Sequence, residues 1–214
     1  MDLIARALPL MGQAVLITLF LGITSFLIGS VIGLCVTLAR LSVHRILRYV
    51  AIGYVSVVRG TPLLIQILLI YFGLPQLGLV IAPIPAAIAA LSINGSAYLS
   101  ENFRAGVLSV NRGQREAAHS LSMSYTQSLR RVILPQAIRI AVPPVGSRFI
   151  AIMKDTSLAS VITVFELTRL ANMIGSATFR YMEMFLIVAF VYWLINAIFS
   201  AGQEVLERRL ARPY

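Results

Sequence analysis

An apolar run of almost thirty residues, from about Gly12 to Ala39, constrains the fold of this chain more than any other feature. A helix needs about 20 consecutive apolar residues to cross the hydrocarbon core of a bilayer. Within the run, Gly29 and Gly33 have the spacing that lets two membrane helices approach closely. Because 58% of the residues are hydrophobic and 12% are charged, with a mean hydropathy of +0.86, the run is not an isolated anchor. The sequence predicts an all-α membrane protein.

Further apolar runs predict about five transmembrane helices in a single transmembrane domain over residues 1–214. The second run is interrupted by Arg59-Gly60-Thr61-Pro62. Because Pro62 lacks a backbone donor and disfavours helical geometry at Thr61, we expect a break near the cytoplasmic membrane surface. Arg59 is open to two interpretations, an anchor to lipid phosphate or a direct role in coupling. The predicted spans cover residues 12–39, 62–80, 85–110, 136–157 and 184–204.

Basic residues concentrate at the ends of these predicted spans, which is typical of the positive-inside rule. The net charge of +10 therefore indicates membrane topology and not nucleic-acid binding. We expect a multi-pass protein with its N-terminus outside and its C-terminus in the cytoplasm. Three arginines, Arg6, Arg169 and Arg180, fall on the predicted outer side. The predicted cytoplasmic ends carry Arg40, Arg45, Arg48, Arg112, Arg115, Arg130, Arg131, Arg208, Arg209 and Arg212.

The chain lacks the residues that a cofactor or a catalytic site would need. Its one cysteine, Cys35, cannot form an intramolecular disulfide. Two histidines without a cysteine cluster give no recognisable metal site. The single lysine, Lys154, is followed by Asp155 and so does not belong to a Walker A loop. We therefore expect no catalytic residue, no metal and no cofactor in this chain.

The polar loop at residues 111–135 stands out against the apolar runs. We expect Gly113 to end the preceding helix and a short helix to follow over residues 114–121. Ser124 and Gln127 match a capping box, which predicts a second short helix that starts at Tyr125 and stops before Pro135. Such a pair forms a compact knob, although a solvated loop with incidental helical turns is the simpler alternative.

The loop resembles the signature loop of the membrane subunits of bacterial ABC importers. Glu116, Ala117 and Ala118 match its E-A-A element, and Leu134-Pro135 match its end at the right spacing. The chain departs from the pattern at Val132, where the family usually has isoleucine, and at Ser122, where it usually has glycine. A serine held in a left-handed turn costs on the order of 1 kcal/mol. Either the turn is built differently or this strain is tolerated.

Three further segments resemble permeases for polar amino acids of the histidine, glutamine, arginine and cystine type. They are Arg59-Gly60-Thr61-Pro62, the Asn94 to Gly106 segment and Lys154-Asp155-Thr156-Ser157-Leu158. The resemblance implies a type I importer transmembrane domain in the bacterial inner membrane, paired with a second identical or homologous permease subunit. It implies a cytoplasmic ATPase dimer, which holds ATP and magnesium, and an external solute-binding protein. The residues that would couple to the ATPase are Gly113, Arg115, Glu116, Ala117, Ala118, Leu121 and Ser122.

Ionisable and polar residues inside predicted spans are the candidates for the substrate pathway. Glu101 and Arg104 are three residues apart and can pair with each other, which is a simpler account than a transport role. Asn94, near the middle of its span, is a better candidate for ligand contact. Pro143 and Pro144 interrupt the backbone hydrogen bonds of the fourth span. Because unpaired backbone survives at membrane depth only in protein or beside water, we expect this span to line the pathway.

Arg148 and Asp155 lie seven residues apart in the fourth span, on nearly the same helix face and about 10.5 Å apart along the axis. From this backbone spacing we expect no direct pair, but a small zwitterion between them could satisfy both. Alternatively, each pairs with a neighbouring helix or extends to an interface. Ser157 completes the predicted pathway set. An arginine in the pathway favours zwitterionic or acidic amino acids, cystine or opine-like derivatives over arginine or lysine.

Two other functions remain open at this point. An ion-coupled secondary transporter would also contain intramembrane charges, although inverted repeats and a proton or sodium relay would then be expected. A non-transporting membrane scaffold would keep the polar loop but would have little use for prolines and charges in the fourth span.

Overall fold

The computed structural model describes residues 2–210, and their side chains from residue 9 onward with the exception of Arg115. Arg212 and the side chains of Arg6 and Arg115, to which the sequence assigns positions or roles, therefore lie outside what is described. All regular elements between residues 2 and 210 are helical. The α-helices are α1 (Asp2–Leu41), α2 (Arg45–Gly60), α3 (Leu63–Leu68), α4 (Pro83–Leu108), α5 (Arg112–Ser120), α6 (Tyr125–Ser128), α7 (Leu134–Asp155), α8 (Leu167–Thr178) and α9 (Tyr181–Leu210).

Short π and 3-10 segments extend three of these helices. A π segment, Leu69–Gly73, and a 3-10 turn, Leu74–Leu77, continue α3. Another π segment, Leu129–Ile133, joins α6 to α7, and the 3-10 segment Thr156–Ile162 follows α7. The helices thus run into one another with few extended connections.

Small residues let α1, α4 and α7 pack closely. A Cβ atom at Gly29 would lie 3.1 Å from the carbonyl oxygen of Ser92, and one at Gly33 would lie 3.0 Å from that of Ser96. Farther along the same contact, Thr37 Oγ1 donates to the carbonyl of Ser100 at 3.0 Å. The close helix contact predicted from the glycine spacing is therefore formed, with α4 as the partner helix.

The predicted break at Pro62 is confirmed. Helix α2 ends at Gly60, Thr61 and Pro62 are extended, and α3 begins at Leu63. The axes of the two helical segments on either side differ by 104°. Extended geometry at Thr61 is what the steric demand of a following proline dictates.

Two described helices are long and apolar enough to cross a membrane, Pro9–Leu41 and Tyr181–Leu210, and the bent pair around Pro62 is a third candidate. Helices α4 and α7 have 26 and 22 residues, which gives lengths of about 39 and 33 Å. These lengths match the ~30 Å hydrocarbon core, but both helices carry ionisable groups. The five-span assignment therefore stays a prediction.

Helix α7 continues through Pro143 and Pro144, and two neighbouring helices support it there. Gln203 Nε2 on α9 donates to the carbonyl of Pro143 at 3.0 Å, and Asn102 Nδ2 on α4 donates to that of Pro144 at 3.0 Å. These two bonds tie α7 to α9 and α4 beside the prolines, whereas the carbonyls that the prolines leave without helical donors lie one turn earlier. The proposed exposure of this helix to the pathway remains a prediction.

Glu166 anchors the start of α8. Its carboxylate is fully buried and accepts hydrogen bonds from the backbone N–H groups of Thr168 and Arg169 at 2.8 and 2.7 Å. The hydroxyl of Tyr192 on α9 donates to the same carboxylate at 2.7 Å. A side chain that caps one helix and bonds another fixes their relative position.

Candidate functional site

Arg148 lies at the centre of a polar network between α4 and α7. Its side chain is only 13% exposed, and Nη2 donates to Asn94 Oδ1 at 2.8 Å. The guanidinium group lies over the ring of Tyr98, with its central carbon 4.4 Å from the ring centroid. A buried arginine needs such partners because an unpaired charge in this environment is costly.

The expectation that Arg148 and Asp155 do not pair directly is wrong. Arg148 Nη2 lies 3.5 Å from Asp155 Oδ2, within the same helix. Backbone spacing alone underestimates the reach of these groups. Helical side chains tilt toward the N-terminus, so Asp155 leans back toward Arg148, whose long side chain spans the remaining distance.

Asn94 connects Arg148 to the helix break. Its Nδ2 group donates to Gln66 Oε1 at 3.2 Å, while Gln66 Nε2 donates to the carbonyls of Val58 and Thr61 at 2.8 and 3.1 Å. The sequence reasoning missed Gln66. An amide side chain one turn after Pro62, in an otherwise apolar helix, was the signal that could have revealed it.

Two features of the network bear on ligand binding. Arg148 Nε is buried and has no hydrogen-bond partner among the described residues. A buried donor without an acceptor costs free energy, so this edge of the guanidinium suits an incoming acceptor. The hydroxyl of Ser157, in contrast, donates to the carbonyl of Lys154 at 2.8 Å, a bond within its own segment.

Glu101 joins three arginines where α1, α2 and α4 meet. The predicted pair with Arg104 is confirmed, with Nη2 2.9 Å from Glu101 Oε2. Arg40 Nη1 lies 2.6 Å and Arg59 Nη1 lies 3.4 Å from Glu101 Oε1. The two additional partners come from other helices, so local spacing could not identify them. We call these four residues the Glu101 cluster.

The polar loop begins differently from the prediction. Gly113 does not end the preceding helix, because α4 ends at Leu108 and Gly113 lies in the first turn of α5. Asn111 is the N-cap, and its Oδ1 accepts from the N–H of Gly113 at 2.8 Å. An asparagine side chain can satisfy a free amide at a helix start, whereas a glycine cannot.

The end of α5 settles the question raised by Ser122. Ser122 has a positive φ of 55°, and its N–H donates to the carbonyl of His119 at 2.9 Å. The N–H of Met123 donates to the carbonyl of Ala118 at 3.1 Å. This pair of bonds is a Schellman motif, which usually has glycine at the left-handed position. The turn is therefore the one that glycine would form, and the strain of serine is tolerated.

The second short helix starts as predicted but does not stop before Pro135. The capping box is complete, since Ser124 Oγ accepts from the N–H of Gln127 while Gln127 Oε1 accepts from that of Ser124. The helix then widens into the π segment and continues into α7, where Pro135 occupies the first turn. Because the helix is continuous, Pro135 removes a donor from it, and a π segment just before a proline is an adjustment that lets such a helix continue.

The outer surface of the loop presents both charge and apolar groups. Glu116 Oε1 accepts from Arg112 Nε at 2.8 Å, with both side chains exposed. Leu121 and Tyr125 are 76% and 80% exposed. Ala118, by contrast, is buried against its own chain, which corrects the expectation that it faces a partner. The exposed surface is thus formed around Glu116, Leu121 and Tyr125.

Long apolar helices that enclose ionisable groups such as Arg148 and Asp155 are typical of membrane transport subunits. Residues 25–212 match the family model described as binding-protein-dependent transport system inner membrane component, and the chain belongs to this family. The resemblance to permease subunits of amino-acid ABC importers is thereby confirmed, as is the type I importer fold.

Three known proteins show how similar this chain is to other amino-acid transport proteins in sequence and structure. The chain is 43% identical over 213 residues to the L-cystine transport system permease protein of Bacillus subtilis, covering 99% of this chain and 91% of the relative. It is 40% identical over 206 residues to the glutamine transport system permease protein of Escherichia coli, covering 95% and 94%. A crystal structure of an amino acid ABC transporter with histidines has a TM-score of 0.92 and 41% identity, with 96% of each chain covered.

Proposed function

We propose that this chain is the permease subunit of an ATP-driven importer of a polar amino acid, with zwitterionic or acidic substrates, cystine-like or opine-like, preferred over cationic ones. The relatives named for cystine and glutamine transport support an amino-acid cargo. The observation that carries the substrate class is the buried guanidinium of Arg148, whose Nε donor has no partner among the described residues and which lies beside Asp155.

Arg148 and Asp155 would receive the two charges of a zwitterion. The planar guanidinium suits a carboxylate, since it offers parallel donors. As the substrate carboxylate binds at the free Nε edge, the 3.5 Å contact between Arg148 and Asp155 would loosen and leave Asp155 or Asn94 to accept from the substrate amino group. A cationic side chain would meet repulsion from Arg148. Ser157 remains a weaker candidate because its hydroxyl is already bonded to Lys154.

The loop at residues 111–135 would dock into a groove of a separate cytoplasmic ATPase, which holds ATP and magnesium. The exposed surface around Glu116, Leu121 and Tyr125 supports this role, because exposed apolar groups on a polar loop mark a site of interaction. Approach of the two ATPase subunits would then move the loops and rock the helices between inward and outward openings. Such alternation requires that the ATPase bind the two conformations with different affinity.

The remaining assembly follows from this assignment. The permease would work as a pair with an identical or homologous subunit, receive its cargo from an external solute-binding protein, and have its N-terminus outside and its C-terminus in the cytoplasm. The basic residues at the ends of α1 and α9, with Arg40, Arg208 and Arg209, support this orientation.

The test is stimulation of ATP hydrolysis in the reconstituted complex across a panel of amino acids, each with the solute-binding protein present. We expect zwitterionic or acidic amino acids to stimulate hydrolysis in the parent complex and the Arg148→Ala complex to lose this response. Stimulation only by arginine or lysine, or an unchanged response in Arg148→Ala, would contradict the substrate assignment.

A further inference from the structure

Helix α2 has a buried stripe that holds it against the bundle. Ala51, Val55 and Val58 are buried, and the last two pack with Val36 on α1 and Ala97 on α4. These contacts use only one side of the helix. The other residues of α2 form two flanks, one on each side of the stripe.

The direction of α2 differs from that of a transmembrane hairpin. The helix has 16 residues and is about 24 Å long. In an antiparallel hairpin the C-terminal end of α2 would pack against the middle of α1, far from the end of α1. Instead, Val55 and Val58 pack with Val36, which lies within about two turns of the end of α1. Arg59, at the far end of α2, forms an ion pair with Glu101, and Arg40 near the end of α1 pairs with the same carboxylate. Both ends of α2 are therefore near the end of α1, and the helix runs across the bundle before the 104° bend into α3.

One flank of α2 is apolar and turned away from the chain. Ile46, Val50 and Val57 lie on the same side by helical spacing, and they are 82%, 65% and 65% exposed. Exposed β-branched side chains in such a row need an apolar environment, since burying them is worth about 25 cal/mol for each Å² removed from water.

The opposite flank of α2 is basic. It carries Arg45 and Arg48, with Arg59 at its end. The sequence has no acidic residue between Asp2 and Glu101, so no carboxylate lies nearby along the chain. Arg59 contacts Glu101, whereas Arg48 contacts the ring of Tyr49, a neutral group. The flank thus has an excess of positive charge that an anionic surface would complement.

We propose that α2 lies in the plane of the cytoplasmic membrane surface, with its apolar flank among the lipid chains and with Arg45 and Arg48 bound to anionic phospholipid headgroups. This inference rests on the proposed orientation of the chain. An amphipathic helix with arginines on its polar flank binds such an interface by both apolar burial and attraction to anionic lipid. Arg40, in the last turn of α1, lies at the boundary between lipid and cytoplasm, and α2 follows directly and therefore lies at the same depth.

Lipid binding at α2 would reach the ionic network through the helix break. Gln66 bonds both the carbonyl of Val58, at the end of α2, and Asn94, the partner of Arg148. A displacement of α2 would therefore move Gln66 and change its hydrogen bond with Asn94. Anionic lipid bound at Arg45 and Arg48 holds α2 in the position in which the hydrogen bonds from Val58 through Gln66 and Asn94 to Arg148 can form.

The orientation of α2 is tested by spin-label depth measurements on the full chain in bilayers. A nitroxide is placed in turn at Ile46→Cys, Val50→Cys and Val57→Cys in a Cys35→Ser background, before the ATPase is added. The parent protein, labelled separately at its exposed native Cys35 on α1, serves as the deeper reference. We expect the three sites to be accessible to oxygen and to lie at one shallow depth. A graded depth would mean that α2 crosses the membrane, and exclusion of oxygen from all three would mean that a protein partner covers this flank; either result overturns the proposal.

The headgroup contact is tested by the preference for phosphatidylglycerol over phosphatidylcholine, measured with spin-labelled lipids on the same preparation. Each basic residue near an anionic membrane contributes about 1 kcal/mol, which converts to about fivefold in affinity. We expect Arg45→Gln and Arg48→Gln each to reduce the preference about fivefold. The matched control is Arg209→Gln, which removes an exposed arginine at the cytoplasmic end of α9. An unchanged preference in both α2 variants, or an equal loss in the control, would overturn the proposal. Neither measurement depends on transport, so a wrong substrate assignment would leave both results unaffected.

Discussion

Arg148 Nη2 on α7 donates to Asn94 Oδ1 on α4 across 2.8 Å, so the buried cation is held by a neutral amide from a different helix. The carboxylate of Asp155 lies farther away, at 3.5 Å. Because the amide leaves the charge of Arg148 only partly compensated, the guanidinium can accept a second anionic partner. The free Nε edge is where we expect that partner to bind.

Replacing Arg148 should weaken the response to substrate. A hydrogen bond to a charged group contributes about 1.5–3 kcal/mol, so Arg148→Ala should weaken substrate binding roughly 10- to 150-fold. Arg148→Lys should recover only part of this loss, since lysine lacks the planar fork. The measurement is the substrate dependence of uptake in proteoliposomes. The control, Arg169→Ala on α8, should retain parental uptake, and equal losses in the two variants would exclude a specific role for Arg148.

Neutralising Glu101 should destabilise the bundle where α1, α2 and α4 meet. Glu101→Gln leaves Arg40, Arg59 and Arg104 without their shared carboxylate, and Glu101 is 23% exposed. We expect a loss of about 1–3 kcal/mol, below the 3–5 kcal/mol of a fully buried broken pair because solvent screens part of the interaction.

The measurement for Glu101→Gln is thermal unfolding in detergent. Glu204→Gln is the matched control, because it breaks an exposed pair with Arg208 that should contribute less than about 1 kcal/mol. If the two variants unfold at the same temperature, the Glu101 cluster does not stabilise the fold.

Glycine should have opposite effects at Ser120, the last residue of α5, and at Ser122, which follows its C-cap. Ser122 has a φ of 55°, so Ser122→Gly relieves strain and should stabilise the turn by up to about 1 kcal/mol. Ser120 ends the helix, so the low helix propensity of glycine should make Ser120→Gly cost up to about 0.5 kcal/mol. Hydrogen exchange of the amides of Ser122 and Met123 reports both changes. Faster exchange in Ser122→Gly would contradict the left-handed turn.

Changes on the outer surface of the loop should release the ATPase without unfolding the permease. Glu116→Lys reverses the exposed charge, and Leu121→Asp places a charge at an apolar position that is 76% exposed. Both should prevent copurification of the ATPase, because a charge buried in the docking groove would lack a partner. His44→Asp, a charge change at an exposed residue outside the loop, is the control. Normal copurification and uptake in the loop variants would refute the docking role.

Local backbone chemistry explains which features the sequence predicted. The break at Pro62, the capping box of Ser124 and the pairing of Glu101 with Arg104 depend on residues within a few positions of one another. The glycine spacing at Gly29 and Gly33 predicted a close contact but could not identify its partner helix, because that depends on how the whole bundle packs.

The errors and omissions have physical causes of their own. Helical rise describes the backbone, so it failed for the pair of Arg148 and Asp155, whose side chains extend toward each other. The contacts of Gln66 with Asn94 and of Arg40 with Glu101 join helices that are distant in the sequence. No local pattern encodes such contacts.

The most direct test of the central claim, that a separate ATPase drives this permease, is uptake of radiolabelled amino acid by proteoliposomes under a collapsed ion gradient. The permease alone and the permease with its ATPase are compared, both with the solute-binding protein outside and with ATP enclosed. We predict uptake only when permease, ATPase and enclosed ATP are all present. Uptake by the permease alone, or uptake that needs an ion gradient and not ATP, would contradict the account.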